Sequence, residues 1–120
     1  MLKKKYKVAK KKVIEKIHTQ GKSFMTPYFV LKSHATSEDT LSRFGITISS
    51  KVHKSAVKRN RIKRIIFGYL AKQHNNITPN LDIMIIVSRK AINQATQQVE
   101  RKAILQSLEF ALTKTHILNN

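Results

Sequence analysis

The sequence has no cysteine, which excludes disulfides, thiolate chemistry and zinc sites built on cysteine. Only six of its 120 residues are acidic, and they show neither a paired acid–base arrangement nor the convergent carboxylates of a two-metal site. Three glycines are too few for a glycine-rich phosphate loop, and the five histidines lack metal-ligand spacing. We therefore expect no catalytic residue, and no metal, cofactor or small-molecule ligand bound by the protein alone.

Long apolar runs are also missing. No stretch reaches the roughly 18 apolar residues of a membrane-spanning helix, and the basic amino terminus is not followed by the apolar core of a signal peptide. These features favour a cytoplasmic location. At 120 residues, with 41% hydrophobic content, the chain is long enough for one domain with a genuine core.

Positive charge dominates what is present. The formal net charge is +18, an excess that is tolerated most easily when the partner is a polyanion. Nucleic acid is the leading candidate, and an anionic membrane surface is second. Seven lysines fall in residues 1–12. We interpret residues 1–8 as a flexible basic tail that orders on a polyanion, with a solubilising tail as the alternative.

The stretch from Lys51 to Leu70 combines charge with helical periodicity. Seven of its first fourteen residues are basic, and no acid occurs between Asp39 and Asp82. Apolar residues at helical spacing indicate an amphipathic helix from about Lys54 to Lys72, capped by Ser55. The predicted buried arc contains four residues: Ile62, Ile65, Ile66 and Tyr69.

The remaining pattern alternates helices and strands. A helix is predicted over residues 9–20 and another over 95–115. Strands are predicted after Pro27, over 42–50 and over 81–88, the last as a central strand because its apolar run is nearly continuous. The first two strands would form a hairpin. The predicted fold is a single α+β domain over residues 1–120, of order α-β-β-α-β-α, with a folded core from 9 to 115.

One motif carries a family resemblance. The run from Ala56 to Arg64, Ala-Val-Lys-Arg-Asn-Arg-Ile-Lys-Arg, is similar to the RNR signature of the bacterial ribonuclease P protein component. The preceding run from Phe44 to Lys51 resembles the strand that leads into that signature. The resemblance covers most of residues 10–112.

The resemblance implies a single-domain α/β sandwich like domain 2 of ribosomal protein S5, with a left-handed βαβ crossover in place of the usual right-handed one. It also implies the function and the partners. The protein would bind a catalytic RNA and the 5′ leader of precursor tRNA, and would assist the endonucleolytic removal of that leader. The RNA, with magnesium required by the holoenzyme, would perform the cleavage.

The implied site has two parts. The catalytic-RNA surface would comprise eight residues: Lys51, Lys54, Lys58, Arg59, Asn60, Arg61, Lys63 and Arg64. The leader cleft, between the first helix and the sheet, would comprise five: Ile14, His18, Tyr28, Phe29 and Lys32. The family often has phenylalanines where this chain has Ile14 and His18, and two lysines where it has Ser50 and Lys51. Stacking on a leader base would then fall to His18, Tyr28 or Phe29, although Phe29 is equally typical of a core residue.

Two other classes of protein are alternatives, a ribosomal protein, which is equally basic, and a helix-turn-helix DNA-binding protein. A ribosomal protein would lack the specific signature. A helix-turn-helix DNA-binding protein would need a short helix directly before the basic one, where this sequence has a strand pattern.

Overall fold

Three helices and four strands follow one another along the residues that the computed structural model describes, 11–36 and 42–118. The helices are α1 (Lys11–Gln20), α2 (Ala56–Gln73) and α3 (Arg101–Lys114). The strands are β1 (Lys22–Met25), β2 (Phe29–Ala35), β3 (Arg43–Thr47) and β4 (Leu81–Val87). Two short 3-10 turns, His74–Asn76 and Arg89–Ala91, flank β4. The predicted α+β class is confirmed.

The strands form one sheet of order β1-β2-β4-β3. Strand β4 lies between β2, to which it is antiparallel, and β3, to which it is parallel. The predicted central position of β4 is confirmed, and its apolar run explains it, because both of its faces are covered. The predicted hairpin between β2 and β3 is wrong, since β4 separates the two strands and pairs with both.

The predicted order of elements, α-β-β-α-β-α, omitted one strand that the structure contains. Strand β1 pairs antiparallel with β2, which makes the observed order α-β-β-β-α-β-α. The connecting turn is closed by Thr26, whose Oγ1 accepts hydrogen bonds from the backbone N–H groups of Tyr28 at 3.3 Å and Phe29 at 3.1 Å. Strand β1 is short and mostly exposed, so its sequence shows little of the alternation that identifies a strand.

The sheet buries its two faces differently. The side chains of Leu31, Phe44 and Ile85 point to one face, where they join buried residues of α2 and α3 in the main hydrophobic core. Helix α1 lies against β2 and β4 on the opposite face, to which Lys32 and Met84 point as directly paired residues. That opposite face is therefore partly polar and only partly covered.

Helix α2 begins as predicted. Ser55 has extended backbone angles and its Oγ accepts a hydrogen bond from Lys58 N at 3.4 Å. The buried arc differs from the prediction, because Phe67 and Leu70 are buried with Ile62 and Ile66, whereas Ile65 and Tyr69 are only half-buried. At 3.6 residues per turn, the centre of the observed arc is rotated by about 75° from the predicted one. The packing of α2 against the sheet and against α3 determines this rotation.

Helix α3 begins later than predicted. Asn93 Oδ1 accepts hydrogen bonds from the N–H groups of Ala95 at 2.9 Å and Thr96 at 3.1 Å, and these local bonds hold a turn where a helix was expected. The core also extends beyond residue 115, the predicted end. Ile117 and Leu118 are buried, and their N–H groups donate to Leu112 O.

Strand β3, helix α2 and strand β4 form a βαβ unit with parallel strands. The left-handed crossover and the likeness to ribosomal protein S5 stay predictions, and the predicted tail of residues 1–8 lies outside the described residues. Within residues 11–36 and 42–118, no helix has the length and apolarity needed to cross a membrane.

Candidate nucleic-acid interface

The amino end of α2 is held in place by a neighbouring loop. His53 Nδ1 accepts a hydrogen bond from Ser55 N at 2.9 Å, and His53 Nε2 lies 2.8 Å from Gln97 Oε1, to which it can donate. Lys58 Nζ donates to the backbone oxygen of Gln97. These bonds orient the basic helix. They also show that Lys58, predicted to contact RNA, already has a partner within the protein.

Within the described ranges, no carboxylate pairs with a basic side chain of α2. Arg61, Arg64 and Asn60 are exposed, Lys63 is half-buried, and Lys51 and Lys54 are exposed just before the helix. A surface helix normally balances its charges with acids three or four residues away. Without that balance, the guanidinium forks of Arg61 and Arg64 face solvent in a form suited to phosphate.

Arg59 occupies an unexpected position on α2. At about 100° per residue it lies at the middle of the buried arc, in line with Ile62 and Ile66. Its Nε is buried and has no hydrogen-bond partner. An unsatisfied buried donor costs about 1–3 kcal/mol, so the Arg59 guanidinium gains from any acceptor that reaches it.

A second basic cluster lies at the carboxyl ends of the parallel strands. Lys51, after β3, lines a depression of about 470 Å³ together with Arg89 and Lys90, which follow β4. Arg89 and Lys90 were not predicted as binding residues from the sequence. The signal was present, because the carboxyl ends of neighbouring parallel strands meet at one edge of a sheet. The assumed β2–β3 hairpin concealed it.

The structure brings some of the residues predicted for the leader cleft close to one another. Helix α1 lies against β2 and β4, and Lys32 Nζ is 3.4 Å from His18 Nδ1, close enough to donate to a neutral ring. His18 is exposed, and Ile14, one turn earlier on α1, is half-buried. A basic group and a flat ring therefore lie side by side at the edge of α1.

The two aromatic residues predicted for the leader cleft, Tyr28 and Phe29, lie in different surroundings. Tyr28 is half-buried and lines a shallow depression with Lys90, so its ring adjoins the second basic cluster. Phe29 is 1% exposed and belongs to the main core. The prediction of Phe29 as a cleft residue is corrected, because strand alternation directs its ring to the face that α2 and α3 cover.

Two described carboxylates lie near these surfaces, and one of them, Glu100, lines the depression of Tyr28 and Lys90. Asp82, only 4% exposed, accepts two hydrogen bonds from Arg43, from Nε at 2.7 Å and from Nη2 at 3.0 Å. It is therefore committed to a structural ion pair beneath α1. Among the described residues, no group of three or more histidine or acidic side chains is placed to hold a metal ion.

Known proteins share this arrangement. The family model of ribonuclease P matches residues 2–115. The ribonuclease P protein component of Listeria innocua is 33% identical over 103 residues, which is 86% of each chain. The RNase P protein of Staphylococcus aureus superposes with a TM-score of 0.83 at 28% identity, covering 95% of this chain and 98% of that one.

The RNase P protein of Thermotoga maritima has the same fold, with a TM-score of 0.77 at 23% identity, covering 90% of this chain and 96% of that one. The family match extends across the basic helix, both strands of the parallel pair and all three helices. This chain belongs to the ribonuclease P protein component family.

Proposed function

We propose that this protein is the RNA-binding subunit of a ribonuclease P that acts in the cytoplasm. It binds the catalytic RNA and the 5′ leader of precursor tRNA, and so assists the endonucleolytic removal of the leader. The observation that carries this proposal is the helix α2, whose cations have no acid partners among the described residues and whose amino end is held by the Ser55 cap and by the bonds to Gln97.

The catalytic RNA would lie on the exposed side of α2. Asn60, Arg61 and Arg64 present donors to solvent there, and Lys54 extends the surface toward the preceding loop. Arg59 would contribute by turning its guanidinium toward a phosphate, which relieves its unsatisfied Nε. Lys58 would act indirectly, by holding α2 to the loop at Gln97.

The leader would follow the opposite face and the carboxyl edge of the sheet. His18 and Lys32 would form one leader-binding point at α1. Tyr28 and Lys90, which line one depression, would form another. Flat rings next to cations suit a single strand, whose bases stack while its phosphates are neutralised. Lys51, Arg89 and Lys90 connect this path to the start of α2.

Magnesium fits the RNA better than the protein in this assembly. The protein would orient the leader and neutralise phosphates, whereas the metal would supply the hydrolytic chemistry on the RNA. The donor set supports this division, because the buried Asp82 is bound to Arg43. The other described acids are apart in sequence, with Glu15 in α1, Glu100 just before α3 and Glu109 within α3.

Binding to the catalytic RNA should weaken steeply with salt. If about six phosphates are neutralised, counterion release predicts a log–log slope of about −4 to −5. Deleting residues 1–7, which removes four lysines, should flatten that slope without lowering the melting temperature. Affinities measured across a salt series test this, with a full-length chain carrying glutamine at those four positions as the control for length. An unchanged slope would make the tail a solubiliser.

The leader contacts should appear as discrimination between precursor and mature tRNA. Tyr28→Ala or His18→Ala in the assembled holoenzyme should reduce the preference for precursor by roughly 1–3 kcal/mol, the scale of one stacked base. Affinity for mature tRNA should not change. Phe29→Leu is the matched aromatic control, and it should lower stability without changing the preference. Equal loss for both tRNAs in Tyr28→Ala would place the leader elsewhere.

A further inference from the structure

A groove of about 400 Å³ lies between α2 and α3. Its α2 wall carries Arg61, Arg64 and Lys72, and its α3 wall begins with Arg101. Among the described residues, no acidic side chain lines it. The RNR resemblance accounts for Arg61 and Arg64 alone, so Lys72 and Arg101 require a separate explanation.

The cations are arranged as a row. At a rise of 1.5 Å per residue, Arg61 and Lys72 are about 16 Å apart along the helix axis. Ion pairs form within about 4 Å, so one small anion cannot contact both ends of the row. The spacing suits a chain of phosphates that follows α2.

The middle of the groove is kept open by Gly68. A Cβ added there would meet no atom within 4 Å. Glycine inside a helix costs roughly 0.5–1 kcal/mol relative to alanine, and neither packing nor a left-handed backbone requires it here. The missing side chain leaves the backbone of α2 accessible between the cations of its two ends.

Tyr69 supplies a neutral donor in the same wall. Burial raises the pKa of the Tyr69 hydroxyl above its ordinary value, and the negative charge of Glu109 adds to the rise. A tyrosine hydroxyl is protonated at neutral pH even at its ordinary pKa, so this hydroxyl can donate a hydrogen bond. Half-buried Ile65 and Leu105 line the groove beside it, so its floor is apolar and its rims are cationic.

From this geometry we infer that the α2–α3 groove holds one strand of the catalytic RNA by its phosphodiester backbone, with Lys72, Arg101 and Tyr69 as contacts beyond the RNR segment. The inference rests on the proposed function, because it extends the RNA surface of α2 onto α3. It assigns the groove to backbone contacts, which position an RNA strand without reading its bases.

Charge removal gives the first test. Arg101→Ala and Lys72→Ala should each weaken binding of the catalytic RNA about 10- to 100-fold at fixed salt, the effect of losing one charge-assisted contact. Each should also reduce the salt slope by about 0.7–0.9. Lys102→Ala is the matched control, since it removes the same charge from the next, exposed position of α3 but does not line the groove.

Blocking the groove gives a second test that does not change charge. Gly68→Ala should melt at or above the wild-type temperature and retain most of the RNA affinity. Gly68→Gln should also remain folded, because the site is open, but should weaken RNA binding several-fold by filling the groove. Circular dichroism melts of every variant separate loss of fold from loss of contact.

The outcomes distinguish the two proposals. If the wild type binds and Arg61→Ala weakens it, but Arg101→Ala, Lys72→Ala and Gly68→Gln behave like Lys102→Ala, the groove is not an RNA site and the proposed function stands. If Arg101→Ala leaves RNA affinity unchanged and weakens binding of poly-glutamate, the occupant is an acidic protein segment and the inference is overturned. No saturable binding of catalytic RNA by the wild type would overturn the proposed function as well.

Discussion

Precursor tRNA incubated with the purified protein alone should remain uncleaved. Catalytic RNA and protein together should cleave it at a magnesium concentration at which the RNA alone is nearly inactive. The chain has only six acids, and the described ones are dispersed or, for Asp82, committed to Arg43. Cations on α2 and at the carboxyl edge of the sheet can reduce phosphate repulsion that magnesium would otherwise have to neutralise.

The expected gain is large. One charge-assisted contact to the leader contributes about 1.5–3 kcal/mol, and about 1.4 kcal/mol is tenfold in affinity. The affinity of the holoenzyme for precursor should therefore exceed that of the RNA alone by at least about tenfold at low magnesium. The assay compares protein, RNA and both over a magnesium series. Strong cleavage by protein that has been freed of RNA by nuclease treatment and repurification would contradict the proposal.

Substitutions on the buried side and on the exposed side of α2 should have different effects. Ile66 is fully buried among core residues of the sheet and α3, so Ile66→Ala should remove contacts and leave a cavity, at a cost of about 2–5 kcal/mol in stability. Its loss of RNA binding should follow the unfolded fraction. Arg61 is exposed, and Arg61→Ala should change stability by no more than about 0.5 kcal/mol.

Arg61→Ala should nevertheless weaken catalytic-RNA binding by roughly 1–3 kcal/mol, the scale of one charge-assisted hydrogen bond. Arg61→Lys should restore only part of this affinity, because an ammonium cannot reproduce the planar fork. Melting curves and RNA affinities of the three variants at one salt concentration provide the comparison. Early melting of Arg61→Ala with normal binding by the folded fraction would make Arg61 a structural residue.

Local patterns predicted the start of α2 and the central strand well. Ser55 at the start of the basic periodicity identified the beginning of α2, and the continuous apolar run identified β4, because capping and double-sided burial act on neighbouring residues. Strand pairing was predicted wrongly, since it depends on contacts distant in sequence. The hairpin was favoured by the short connection between β2 and β3, but the better burial of β4 outweighed it.

The sequence predicted which residues of α2 belong to the site better than it predicted where their side chains lie. The basic residues of α2 are where the signature implied, but the buried arc is rotated, so that Arg59 lies over the core and Ile65 and Tyr69 line a groove. A helical wheel cannot give this rotation, because the neighbours of α2 determine it. Arg89 and Lys90 were missed for the same reason, as only the parallel pairing of β3 and β4 brings them to Lys51.

The position of β4 also determines when the sheet can assemble during synthesis. Strands β1, β2 and β3 precede α2 in the chain, yet β3 obtains its ladder bonds from β4, which is the last strand to be made. A nascent chain that ends before residue 81 contains the whole basic helix but lacks the strand that joins β3 to β2. The basic helix α2 is therefore synthesised before the core that covers it can close. Distant strand pairings form slowly, which lengthens this interval. In a cell rich in RNA, the interval between these two events is the period in which premature capture by a polyanion competes with folding.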